Sequence, residues 1–474
     1  MDAKEFAANV MLALPYMPND QQVAVIAALS RFCSPEPSSS DRVFVLNGYA
    51  GTGKTSLTGA LVKTLAAVGI SSVLLAPTGR AAKVFGAYAG HPAFTIHRKI
   101  YKHRLSGGDY SFGSADVQAN NGRNLVFIVD EASMIGAADG RGTNLLEDLI
   151  HYVYSGENCR LILLGDTAQL PPVGSPESPA MNPDVLRSYG LKVTRATMTA
   201  TARQRGGSGI LYNATWLRRA MLADELPLPR IFTAGFDDVE EVAGEDLPEK
   251  LEEAYARDGV EETLLITRSN RLATDYNRAI RGNVLYAEEE LQRDELLIVA
   301  KNNYFWTKSE KTIDFIANGD IVSVARIIAS EIRYGLSFAD VELAFPDREG
   351  VRLQAKIMLA TLTSETASMS QEDYNALYYG LIDDPEMFPA DMPYELRVSK
   401  LRDNPYWNAL QVKYAYAATC HKAQGGQWSN VFIDLSYIPP ESMGVDFYRW
   451  LYTAVSRARK HLYFINPPHS GESQ

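Results

Sequence analysis

Gly48-Tyr-Ala-Gly51-Thr52-Gly53-Lys54-Thr55-Ser56 sets glycines, a lysine and hydroxyls at the spacing of a phosphate cradle. Backbone N–H groups in such a turn, at the start of a helix, curl around a β-phosphate. Lys54 then reaches the β- and γ-phosphates, and the Thr55 hydroxyl can ligate Mg²⁺. Leu125-Val-Phe-Ile-Val129-Asp130-Glu131 ends an apolar run in two carboxylates. Asp130 suits the hydration shell of Mg²⁺, and Glu131 suits polarisation of an attacking water. Leu161–Leu164 leads into Gly165-Asp166-Thr-Ala-Gln169-Leu170-Pro171-Pro172-Val173. There Gln169 can sense a γ-phosphate or position water. The chemistry to be expected is hydrolysis at a nucleotide γ-phosphate with Mg²⁺.

Such groups need a rigid frame. Val43–Leu46, Val73–Leu75, Leu125–Val129 and Leu161–Leu164 are short β-rich runs separated by helical patterns, with Thr55–Leu65 following the first. A second series comprises Leu264–Ile266, Val431–Leu435 and Leu462–Ile465. Apolar runs alternating with helices predict parallel sheets covered on both faces, so the chain carries two α/β cores. Residues 20–32 predict a helix capped by Asp20, with Val23, Ile26, Ala27 and Leu29 along one side.

Two segments break the rhythm. Gly107-Gly108-Asp109, between Ile100-Tyr101 and Tyr110-Ser-Phe112, predicts a hairpin inserted at 99–124. Residues 283–412 interrupt the second core. Asn318-Gly319-Asp320 marks a turn, Val322–Ile328, Val341–Phe345 and Val351–Leu359 predict a small β-barrel, and 371–411 reads as helical and acidic.

The chain has 474 residues, enough for roughly two to four domains. A net charge of −11 argues against a protein that coats nucleic acid nonspecifically, yet it leaves room for a local basic channel. Hydrophobic residues at 46% and charged residues at 22% exclude a largely disordered chain. Cys33, Cys159 and Cys420 are too scattered for a disulfide framework or a structural zinc site. The N-terminus lacks the basic region of a signal peptide, and no apolar run reaches the length of a membrane span. The expectation is a soluble cytoplasmic protein of a reducing compartment, away from membranes.

Taken in order, these segments resemble the superfamily 1 helicases, and most of all their Dda-like and RecD-like 5′→3′ members. Gln21 matches the adenine-reading Q motif. Ala76-Pro77-Thr78-Gly-Arg80 matches motif Ia, and Thr95-Ile-His97 matches motif Ib. Asp130-Glu131-Ala-Ser133 and Gly165–Val173 match motifs II and III. Thr199–Gln204 occupies the place of motif IV. Thr419-Cys-His421-Lys422-Ala-Gln424-Gly425 matches motif V, and Tyr452–Arg459 matches motif VI. The set spans residues 21–465, and an ordered recurrence of motifs is far more specific than any one alone.

The resemblance implies an α/β fold of two RecA-like P-loop NTPase cores, parallel sheets flanked by helices. A β-hairpin pin would interrupt the first core, and an SH3-like β-barrel with a helical insertion the second. The expected division is 1–190 for the first core, 191–282 for the start of the second, 283–412 for the insertion and 413–474 for the remainder. ATP would bind between the cores, with Gly48, Gly51, Thr52, Gly53, Lys54, Thr55, Ser56, Gln21 and Gly425 around it. Glu131 and Gln169 would act on water, Arg457 would be the arginine finger, and Arg203 the motif IV arginine. Met198-Thr-Ala-Thr201 lacks the acidic residue usual there, which makes Arg205 a competitor for that role. Pro77, Thr78, Thr95, His97, Thr419 and His421 would contact single-stranded DNA, and Tyr110 or Phe112 would wedge open a duplex junction. The resemblance implies a monomeric 5′→3′ DNA helicase, its SH3-like insertion leaving room for a protein partner. A translocase that strips proteins or remodels recombination intermediates, and a nucleotide-switched binding module, are the alternatives.

Overall fold

The computed structural model describes residues 2–34, 41–101, 117–136, 144–200, 207–308, 313, 315–346, 350–366, 368–389 and 391–467. Of these, the residues up to Pro229 together with Met443–Ser456 form one compact unit. Arg230–Ser442 and the residues from Arg457 onward form the other.

The first unit is built on six strands: β1 (Arg42–Gly48), β2 (Ser72–Ala76), β3 (Ala93–Thr95), β4 (Val126–Val129), β5 (Arg160–Gly165) and β6 (Lys192–Met198). They lie in the order β3-β2-β4-β5-β1-β6, and every pairing is parallel. Alternate side chains of a strand face opposite ways, so an all-apolar run serves two cores at once. Phe44 and Leu46 pack beneath the helices Ala3–Ala13, Asp20–Cys33 and Lys54–Ala67. Val43 and Val45 face Ile96–Ile100 and Leu145–Tyr154 on the other side.

Three local features differ from the sequence expectation. The helix over 20–33 is capped by Asn19 rather than Asp20, through a reciprocal capping box with Gln22. Val23 is 40% exposed, while Val25 is buried beside Ile26 and Leu29. β6 pairs with β1 along seven residues, so the first sheet extends past residue 190.

The second unit opens with β7 (Val239–Val242) and β8 (Thr263–Thr267). A closed barrel follows, formed by β9 (Leu296–Val299), β10 (Ile321–Arg333), β11 (Leu336–Ala344), β12 (Arg352–Met358) and β13 (Leu410–Tyr414). The chain then returns through β14 (Ala417–Thr419), β15 (Trp428–Asp434) and β16 (Ala458–Ile465). β14-β8-β15-β16-β7 is a second all-parallel sheet. Two parallel α/β cores, the second interrupted by a small barrel, are thus as the sequence implied.

β10 and β11 are joined by Tyr334-Gly335, both at positive φ (56° and 74°), the two-residue turn that matches strand twist. The helices Gln371–Ile382 and Tyr394–Leu401 cover one side of the barrel, setting Leu377, Leu381 and Leu401 against Phe338 and Met358. Where β13 runs on into β14, Arg281 forms a buried ion pair with Glu295 at 2.8 Å, and Tyr416 donates to the same carboxylate at 2.7 Å. No helix among the described residues is long and apolar enough to cross a membrane.

Candidate functional site

β1 delivers the chain into a tight loop whose last residue, Gly53, caps the helix Lys54–Ala67 at φ +85°. A side chain at Gly53 would strain the backbone, and its Cβ would fall 2.8 Å from Gln22 Nε2. Thr52 stiffens the turn: its N–H and hydroxyl both donate to the Tyr49 carbonyl, at 3.2 and 2.8 Å. The Lys54 ammonium donates to the carbonyls of Gly48 and Tyr49.

The two adjacent glutamines part company. Gln21 accepts from the N–H groups of Thr199 and Ala200, both at 2.9 Å. Gln22, buried, donates to the Thr52 carbonyl at 2.9 Å and to the Tyr16 hydroxyl at 3.3 Å. Gln22, which carried no expectation, braces the cradle, while Gln21, expected to read adenine, is held by Thr199 and Ala200. The Asn19-x-x-Gln22 capping spacing was the signal in the sequence. Arg218 carries no motif signal at all. Its guanidinium lies 4.4 Å from the centre of the Tyr49 ring and donates to the Thr199 carbonyl at 3.3 Å.

β4 leads into Asp130 and Glu131, the latter at φ 51°. Such a left-handed conformation is uncommon for a glutamate. Asp130 accepts the Glu131 N–H at 2.9 Å. Burial, and then the neighbouring Glu131 charge, push the Asp130 carboxyl up to about 6, while the Glu131 N–H and the Lys54 charge pull it back. Asp130 is thus a desolvated carboxylate within reach of the Lys54 charge, and the Thr55 hydroxyl, one residue beyond that lysine, is an oxygen of the kind that Mg²⁺ takes.

β5 leads into the buried Asp166. Asn47, next to last in β1, accepts the Thr167 N–H at 3.1 Å and ties the two strand ends together. Gln169 is buried, and its Oε1 has no hydrogen-bond partner among the described residues. A buried acceptor left open in this way is suited to a substrate water.

The helix Val445–Val455 belongs to this same unit. The Tyr452 hydroxyl donates to Asp166 at 2.7 Å and accepts the Ala50 N–H at 2.8 Å. Burial and the Asp166 charge hold its pKa far above the ordinary range, so it remains a donor at neutral pH. Thr453 accepts the Leu170 N–H at 2.8 Å. Motif VI is therefore divided, because Arg457 lies in the second unit. There Arg457 is buried and donates to the Gly426 carbonyl at 3.2 Å. The surface ion pairs are made by its neighbours, Arg459 with Glu262 and Lys460 with Asp258. Arg203 and Arg205 fall outside the described residues, as do Tyr110 and Phe112. Tyr101 and Val117, which bracket the latter pair, form an antiparallel bridge.

Each sheet also presents a polar carboxyl edge. In the first unit Ala76 of β2 pairs with Thr95 of β3, so Pro77-Thr78 and Thr95-Ile-His97 emerge side by side. Thr78 accepts the Ala81 N–H at 3.2 Å and Thr95 accepts the Arg98 N–H at 3.3 Å, each capping a helix. The His97 ring lies 5.6 Å from that of Tyr101. In the second unit Thr419 of β14 pairs with Thr267 of β8. His421 is exposed, and Gly425 turns the chain at φ +75°. Sequence reasoning passed over Thr267 and Ser269, which share this edge and open the helix Asn270–Asn283.

Residues 19–218 match the family model of an AAA domain, and residues 414–465 match that of a UvrD-like helicase C-terminal domain. The ATP-dependent RecD2 DNA helicase of Deinococcus radiodurans is 36% identical over 135 residues, 28% of this chain and 16% of that protein. An uncharacterized protein of Methanocaldococcus jannaschii is 24% identical over 469 residues, 90% of this chain and 36% of that protein. The chain thus spans well under half the length of these curated relatives. Among solved structures, Pif1 helicase at forked duplex DNA is 16% identical, with 95% of this chain and 92% of that chain covered at a TM-score of 0.47.

Proposed function

We propose that this superfamily 1 helicase of the 5′–3′ type hydrolyses Mg-ATP, moves 5′→3′ along single-stranded DNA and separates duplex ahead of it. The observation that carries the reading is the convergence on one sheet of Lys54, the Asp130-Glu131 pair and Gln169 with its open buried acceptor. In this account Lys54 offsets charge on the β- and γ-phosphates. Glu131 takes the proton of the attacking water, and Gln169 fixes that water's orientation. Thr55 and Asp130 would hold Mg²⁺, which supplies further neutralisation of phosphate charge when bound. Arg457 would act as the arginine finger, a role worth 10³–10⁵ in rate, on the order of 4–7 kcal/mol.

The strand would be gripped at the two carboxyl edges, through Pro77, Thr78, Thr95 and His97 on one sheet and Thr419 and His421 on the other. Hydroxyls and backbone N–H groups make phosphate contacts without a densely basic surface. That accords with a chain of net charge −11.

Single-stranded DNA should accelerate ATP turnover by the full chain. Lys54→Ala should abolish that turnover and leave weak DNA binding. A rate that stays flat as DNA is added would favour a nucleotide-switched binding module instead.

A further inference from the structure

Tyr452 is buried to 1% exposure, and its hydroxyl makes two hydrogen bonds of opposite sense. It accepts the N–H of Ala50, in the middle of the phosphate loop, at 2.8 Å. It donates to Asp166 Oδ2 at 2.7 Å. The other oxygen of Asp166 accepts the Ala168 N–H at 3.0 Å, within the segment that leads to Gln169. One residue on, Thr453 accepts the Leu170 N–H at 2.8 Å. Two consecutive side chains of the helix Val445–Val455 therefore hold the segment on either side of Gln169, and one of them also holds the phosphate loop. The helix ends just ahead of Arg457, where the chain passes into the second unit.

We propose that Tyr452 is a positioning residue that couples the filling of the nucleotide cradle to the Asp166–Gln169 segment. Backbone N–H groups of a phosphate loop are what bound phosphate oxygens seek. An oxygen drawn to the Ala50 N–H competes with the Tyr452 hydroxyl, which is then left with Asp166 alone. The tension on the segment bearing Gln169, and on the helix leading to Arg457, changes with that exchange. Tyr452 itself acts through Ala50 and Asp166. The inference rests on the reading of this site as a DNA-stimulated ATPase.

Tyr452→Phe keeps the ring and removes the hydroxyl. ATP turnover by the full chain is measured against ATP concentration at saturating single-stranded DNA, with active sites counted by titration with a fluorescent ATP analogue. Turnover per titrated site should fall about tenfold, with KM for ATP within about threefold of the parent. A merely structural tyrosine would lower the count of sites and leave turnover per site intact. Asp166→Asn should also slow turnover, and the double variant should be no slower than the slower single one, since both break one link. Turnover per site within about threefold of the parent, or losses that multiply in the double variant, would overturn the proposal.

A second measurement needs no variant. A non-hydrolysable ATP analogue should alter amide hydrogen exchange in 166–170 and 449–455 as well as in 48–56. A change confined to 48–56 would overturn the coupling. If the parent chain shows no DNA-stimulated turnover at all, the ATPase reading fails instead, and the exchange experiment still decides the coupling.

Discussion

Gln22 Nε2 lies 2.9 Å from the carbonyl oxygen of Thr52, so a buried amide supports the phosphate loop from behind. Thr52 is itself fully buried. Gln22→Ala should cost about 1–3 kcal/mol of stability through the orphaned carbonyl. It should also weaken ATP binding several-fold more than Gln21→Ala, whose partners are Thr199 and Ala200. Thermal melts and equilibrium binding of a fluorescent ATP analogue, run side by side, check both halves of this expectation.

Glu131 is held at φ 51° directly after Asp130. If it is the general base, Glu131→Gln should slow turnover by about 10²–10⁴-fold while ATP binding persists. Loss of binding in step with turnover would assign Glu131 to nucleotide affinity instead. Pre-steady-state hydrolysis with labelled ATP separates the two.

In the second unit, Glu295 is buried to 1% exposure against Arg281 and Tyr416. Removing one member of a buried pair strands the other charge. Glu295→Ala should therefore destabilise the second unit by about 3–5 kcal/mol, while replacement of both residues by methionine should cost much less. Urea unfolding of the two variants measures the difference.

Lys413, on the last barrel strand, donates to the carbonyls of Thr361 and Ser364. Burial, then the charge of Lys422, brings its pKa down to about 8. An unfolded lysine titrates near about 10.4. Between those values the unfolded chain binds more protons than the folded one, so stability due to this residue rises with pH across the window. Below about pH 8 the buried charge is a standing cost. Lys413→Met should flatten the rise, seen as a difference in melting temperature between the two proteins at pH 7, 8, 9 and 10.

The frame of the nucleotide site was legible because its signals are local. Glycines force the loop, and continuous apolar strands announce a sheet covered on both faces. The ordered motifs carried the resemblance to superfamily 1 helicases, which the AAA-domain and UvrD-like matches bear out. What escaped was long-range or one-sided. β6 is an edge strand whose side chains are mostly not buried, so Lys192–Met198 shows no apolar run. Gln21 and Gln22 sit about 100° apart around one helix, and only tertiary packing decides which of them turns inward. The Tyr452–Asp166 bond joins residues 286 positions apart. No spacing rule reaches that far, and the same motif that supplies Tyr452 to one unit gives Arg457 to the other.

The central claim is a motor that loads on single-stranded DNA and moves 5′→3′. Strand separation on two duplexes of identical sequence, one with a 5′ overhang and one with a 3′ overhang, tests it most directly. With Mg-ATP the account predicts unwinding from the 5′ overhang and none from the 3′ overhang. Unwinding from the 3′ overhang alone would contradict it.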